Sequence, residues 1–349
     1  MIYDVGGPEH QFWSHQFTSA IPHPTSAIPT VNLNARAAAL CRSLADDAQR
    51  LRIHLHLHDS GAMVVDCGVE TLGGLEAGLL LARVCLADLG AVEIVPASDG
   101  TLPVVQVYTD QPVLACMASQ YAGWEIKGDG FFAMGSGPMR AAAAREPLFE
   151  DINFRESASA CVGVLESGKL PDDAVCREIG EKCGVDPAQL TLLVAPTRSL
   201  AGTLQVVARS VETAMHKLHE LRFDLDRVVS AWGQAPLPPP AKSDAAAIGR
   251  TNDAILYGGH ALLYVRGDDA SLEEIGPQTP SSASKHYGRP FGETLSAFNY
   301  DFYQVDPLLF SPAMVTLVNL DTGNSFRFGE LNHEVLAQSF GAGSSPKGE

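Results

Sequence analysis

Four side chains of QVVARSVETAMHKLHEL, residues 205–221, could act together if the segment is a helix. Arg209, Glu212, His216 and His219 fall three, four and three residues apart, and at about 100° per residue they share roughly a quarter of the circumference. Val207, Val211, Ala214, Leu218 and Leu221 gather on the other side. The stripe has three readings. It is a solvated face of pairs contributing about 0.2–0.5 kcal/mol each; a partial metal set of Glu212, His216 and His219; or a catalytic face. Residue types alone favour the solvated face.

A second cluster, His54, His56 and His58, alternates with leucines and would share one face of a strand. Successive in-line positions there are about 7 Å apart, so three histidines do not meet one zinc without a bend, and an exposed face is the better reading. The chain has no GxSxG, HExxH, GxxxxGK[ST] or strand-to-helix GxGxxG, which removes the commonest hydrolase, kinase and dehydrogenase signatures. It has no CxxC either. Its seven cysteines are scattered among Ala, Val and Leu, as small buried hydrophobes in a reducing cytoplasm.

The elements that must position these groups alternate between helix and strand patterns, an α/β chain of mixed α+β character. A helix is expected from Asn34, strands over RIHLHLHDSGAMVVDCGV, a buried helix in ETLGGLEAGLLLARVCLADLG, and strands in VEIVPA, LPVVQVYTD, ACVGVLES and LTLLVAPT. MGSGPMRAAAAR reads as a turn, Pro138 at a helix start, and an alanine-rich helix. That start would suit a carboxylate or phosphate, or serve as an ordinary cap. QAPLPPPAKSDAAAIG reads as a connection or lid, TNDAILYGG as loop, and PSSASKHYGRPFGETL as a polar loop.

With 349 residues, 46% hydrophobic and 19% charged, two domains are the prior. Residues 1–30 read as a poorly ordered extension and 341–349 as a disordered tail. The formal charge of −17 argues against nucleic acid and anionic membranes as partners, and no apolar run is long enough for a transmembrane span or a signal. Polar groups among small residues in SQYAGW, AMGSGP, APTRSLAG, TNDAILYGG and DFYQVD have the texture of a ligand pocket.

Taken in order, GGLEAGLLLARVCLADLG, ACMASQYAGW, FFAMGSGP, VAPTRSLAGTLQVVARSVETAMHKL, GRTNDAILYGG, YGRPF and DFYQVDPLLFSPA resemble methenyltetrahydromethanopterin cyclohydrolase, from about Asn32 to Phe340. The resemblance implies two interleaved α/β domains over 31–340 enclosing a deep interdomain pocket, a cytoplasmic homo-oligomer, a trimer in the family, and no metal or redox cofactor. The implied substrate is the pterin C1 carrier, whose methenyl cation takes up water to give the 5-formyl compound. It also implies that Arg209 and Glu212 are the catalytic pair; a neighbouring guanidinium lowers a carboxyl's pKa, so Arg209 is expected to keep Glu212 ionised, and the two histidines are expected to pack or orient it. Ser119, Gln120, Tyr121 and Trp124 are expected to contact the pterin. Gly135, Ser136 and Gly137 would allow close approach, and Thr251, Asn252, Asp253 and Tyr287 are further contacts. Two rivals stand beside this: a metal-dependent amidohydrolase using the histidines, and a pterin-binding paralogue without the chemistry.

Overall fold

The structure is a computed structural model that describes residues 31–97 and 102–341. The expected extension over 1–30 and the expected tail, apart from Gly341, lie outside the described residues. The chain divides into Met1–Val31 and Asn32–Glu349, and the second unit is described below.

Among the described residues, twelve strands form two six-stranded sheets. They are β1 (His54–Leu57), β2 (Met63–Asp66), β3 (Gly90–Val95), β4 (Val104–Thr109), β5 (Trp124–Gly128), β6 (Phe131–Ser136), β7 (Cys161–Glu166), β8 (Leu190–Ala195), β9 (Val228–Pro236), β10 (His260–Val265), β11 (Met314–Asn319) and β12 (Ser325–Gly329). The first sheet has the order β1-β2-β8-β7-β6-β5, and the second β12-β11-β10-β9-β4-β3. In the first, β8 runs parallel to both β2 and β7 while the remaining pairs are antiparallel. The helix Asp173–Cys183, capped by the Asp172 side chain, makes the crossover from β7 to β8 that parallel neighbours require. In the second sheet only β10 and β11 are parallel. Mixed helices and mixed sheets place the chain in the α/β class, as the alternating patterns predict.

The expected single helix over 205–221 is two helices, Leu200–Val207 and Ser210–Glu220, with a break at Ala208 and Arg209. The two helices differ in what they pack against. Ala201 is buried in the core of the first sheet, with Val65, Val162, Val164 and Leu193, and beside Leu81 of the helix Leu75–Cys85. From Leu204 to Leu218 the buried face turns to the core of the second sheet, with Val105, Val107, Ala231 and Leu263. The first helix thus spans both cores, Ala201 in one and Leu204 and Val207 in the other, and the buried apolar residues of the second helix lie in the core of the second sheet alone.

Other expectations also shift. TNDAILYGG and the preceding alanines are helical, Asp244–Gly258, because Ser243 caps Ala246 N and the alanines that follow favour helix. PSSASKHYGRPFGETL holds the helix Phe291–Ala297 at its end. The alanine-rich helix after Pro138 is only Met139–Ala143, too short to gather the dipole an anion site needs.

Candidate active site

Residues from four elements converge on the helix break. Val113–Gln120 forms a π-helix, a widened turn often found at functional sites, and it delivers Ser119 and Gln120 fully buried. β6 ends at Ser136 and β7 at Glu166, neighbours in the first sheet. The helix Leu200–Val207 supplies Gln205.

Arg209 binds all four. Its Nη1 donates to the Gln120 carbonyl at 2.5 Å, and its Nη2 faces Ser136 Oγ at 3.2 Å, Gln205 Oε1 at 3.1 Å and Glu166 Oε1 at 3.0 Å. Gln120 closes the ring by donating from Nε2 to the Ala208 carbonyl at 3.0 Å. Ser119 Oγ donates to the Cys85 carbonyl at 2.6 Å, and Ser136 Oγ lies 3.4 Å from Cys85 Sγ. Of the six buried side-chain polar atoms without a protein partner among the described residues, three belong to residues of this cluster, Gln120 Oε1, Gln205 Nε2 and Arg209 Nε, while a fourth, Ser210 Oγ, lies against Gly233 of β9. Buried polar atoms are normally paired, so an acceptor and donors held open together are suited to a polar ligand.

Glu212, the first-turn carboxyl of the helix Ser210–Glu220, is 5% exposed and makes no ion pair among the described residues. The ion pair of Arg209 is with Glu166. Burial therefore outweighs the attraction of Arg209 and Arg140, and the Glu212 carboxyl is pushed up to about 7. This corrects the expectation that Arg209 holds Glu212 ionised: the guanidinium does favour the ionised form, but burial outweighs it.

The neighbouring face is organised by Arg140, which the sequence reading missed. It is fully buried, paired with Glu146, donates to the Met117 and Ser119 carbonyls at 3.0 and 3.3 Å, and lies over Tyr121 at 5.0 Å. Tyr121 stacks on His216 at 5.2 Å and 16°. One turn beyond Glu212, a cavity of about 270 Å³ is lined by Tyr121, Met117, Glu146, Asp151, His216 and His219, among others. His219 Nε2 is 2.9 Å from Asp151, so both histidines have packing partners, as expected of them.

The other proposed contacts are not drawn into this group. Trp124 is buried in the first sheet's core. A side chain at Gly135 would press on the Met139 methyl at 2.8 Å, and Gly137 has φ +87° and donates to the Ser119 carbonyl, so both glycines have reasons within the protein. Thr251 and Asn252 bond back to the Ala247 and Ile248 carbonyls of their own helix. Asp253 accepts from Phe291 N and Ser339 Oγ, and Tyr287 tilts against Tyr257; these hold the C-terminal helices together.

The strand histidines separate. His54 and His56 contact each other edge-on, while His58 lies beyond β1 with Nδ1 3.8 Å from Asp173. His56 instead approaches Asp66 and Glu70, with ligand atoms within 4.8 Å of one another. Both Asp66 oxygens already accept backbone N–H bonds, from Gly68 and Val69 and from Glu70 and Thr71 at 2.7–2.9 Å, which leaves a cation few lone pairs.

A mixed α/β fold that brings a buried carboxyl and a fixed guanidinium together beside open polar atoms is a frame suited to a small-molecule enzyme. The chain belongs to the Cyclohydrolase (MCH) family, whose model matches residues 32–340. It is similar to the methenyltetrahydromethanopterin cyclohydrolases of Methylobacillus flagellatus (46% identical over 314 residues, 89% of this chain and 95% of the relative). The same holds for those of Xanthobacter autotrophicus (43% over 333 residues, 95% and 99%) and Methanosarcina barkeri (41% over 316 residues, 89% and 98%).

Proposed function

We propose that this protein hydrates 5,10-methenyl-tetrahydromethanopterin, or its dephospho form, reversibly to the 5-formyl compound. The observation that carries the chemistry is a buried carboxyl, Glu212, pushed up to about 7 by burial, beside a guanidinium fixed on four acceptors. The methenyl carbon bridges two nitrogens and carries delocalised positive charge. Water attacks that carbon as Glu212 takes one of its protons, and a C–O bond forms. The carbinolamine then collapses: its hydroxyl proton is lost as C=O forms, one C–N bond breaks, and the departing nitrogen receives a proton from the Glu212 carboxyl. The balance is one water consumed and one proton released.

A base works best with a pKa near the working pH, where it both accepts and returns the proton, and a positioned base contributes about 10²- to 10⁴-fold. These steps involve no metal and no redox cofactor. The pterin is the partner we assign. We place the protein in the cytoplasm as a homo-oligomer, a trimer by family resemblance, and among the described residues no helix is long and apolar enough to cross a membrane.

Loss of the near-ultraviolet methenyl chromophore, with tetrahydromethanopterin and tetrahydrofolate substrates side by side, tests the reading. Glu212→Gln is expected to retain substrate binding and lose turnover by at least about 10²-fold. Near-normal turnover in that variant removes Glu212 as the base.

A further inference from the structure

Arg209 and Glu212 are three residues apart, close enough for an ion pair, yet the structure pairs Arg209 with Glu166, 43 residues away in sequence. Glu166 is the last residue of β7, with its side chain 17% exposed and its backbone fixed in register with Met134 and Ala195. Its Oε1 shares Arg209 Nη2 with Ser136 and Gln205, while Gln120 occupies Nη1, so the guanidinium is anchored on the ends of β6 and β7 and on the π-helix. We propose that Glu166 is a positioning residue for the reaction: by holding Arg209 on the sheet edge it keeps the guanidinium out of an ion pair with Glu212, so that one carboxyl can both take a proton from water and return it.

The inference rests on Glu212 being the base. The groups that bear on Glu212 are Arg209 at the helix break, Arg140 on the helix Met139–Ala143, Glu166 on β7, Cys116 and Tyr121 at the π-helix, and Cys85. Of these, Glu166 acts twice. Its negative charge disfavours a second carboxylate nearby, and its hold on Arg209 withholds the nearest positive one. Replacing it with a neutral group removes both effects in the same direction, toward an ionised Glu212.

The test uses the full-length protein and the pH dependence of kcat/KM in both directions. Hydration needs ionised Glu212 and cyclisation of the formyl compound needs it protonated, so the acid limb of one and the alkaline limb of the other share a midpoint. In Glu166→Gln both limbs are expected to move together to lower pH by about one to two pH units. Glu166→Asp keeps the charge but shortens the reach, and should move them the same way by less; it is read identically should the glutamine variant not fold. Rates lowered at every pH with the wild-type midpoint kept in both variants would overturn the proposal and leave Glu166 a purely structural residue. A wild type without the shared limb, together with an active Glu212→Gln, removes the base itself and the proposal with it, an outcome distinct from the first.

Discussion

The guanidinium of Arg209 serves acceptors from four elements at once, which a rigid fork can do and a single ammonium on a flexible stem cannot. Arg209→Lys should therefore lower kcat by about 10²-fold although the charge is kept, because a small misplacement of groups around a reacting centre is enough for that loss. Equal steady-state rates for the two proteins would mean that charge alone suffices. The spacing of Arg209 and Glu212 put them on one helix face but favoured a solvated stripe, and only the resemblance of the surrounding blocks pointed to a catalytic pair; the polar texture of SQYAGW and AMGSGP marked Ser119, Gln120, Tyr121 and Ser136 as candidate pocket residues. Glu166, Gln205 and Arg140 were not legible. Glu166 ends an apolar strand far away in sequence, Gln205 sits in an apolar helix, and Arg140 lies within an alanine-rich run; only the tertiary fold brings them to the break.

At the scale of elements, the helix Leu200–Val207 must lie close to the helix Leu75–Cys85 for Gln205 and Arg209 to reach the ends of β6 and β7. The contact is made through glycine: a Cβ on Gly78 would stand 2.8 Å from Leu204 Cβ and 3.1 Å from the Ala201 carbonyl. Gly78→Ala should push the helices apart and cost about 1–3 kcal/mol of stability. Because Gln205 rides on the displaced helix, kcat should fall in the same variant, read by denaturant melts and the hydration assay together. Unchanged stability would mean that the packing gives way elsewhere. The buried helix and most strands follow from apolar runs that end at glycine or proline. The helix break does not, since the apolar period of residues 205–221 runs through it without a glycine or proline. The helix at Asp244–Gly258 was obscured by its proline-rich approach, although its Ser243 cap was present in the sequence.

For the whole molecule, the buried titratable groups determine how stability follows pH. Asp253 is pushed up to about 7 by burial, as Glu212 is. Between roughly pH 4, where these carboxyls ionise in the unfolded chain, and about 7, the folded protein holds protons that the unfolded one has lost. Stability must therefore fall as pH rises through that window, each group contributing a slope of up to about 1.4 kcal/mol per pH unit. Asp66 acts oppositely in a lower window. Burial would raise its pKa, but four backbone N–H bonds outweigh that and hold the carboxyl below its ordinary range, so its contribution is lost as pH falls below about 4. Lys217, lowered to about 8 by burial, favours folding as pH rises between about 8 and the ordinary lysine range near 10. The net charge of −17 adds self-repulsion on the alkaline side. The expected thermal profile has its maximum on the acid side of neutrality, between about pH 4 and 6. Asp253→Asn, which keeps an oxygen to accept the Phe291 N–H, should flatten the decline between pH 5 and about 7 by one proton's share, measured as Tm or as denaturant midpoint. If the variant declines across that interval as steeply as the parent, Asp253 titrates as an ordinary carboxyl, and the clamp it forms between Phe291 and Ser339 is ionised throughout.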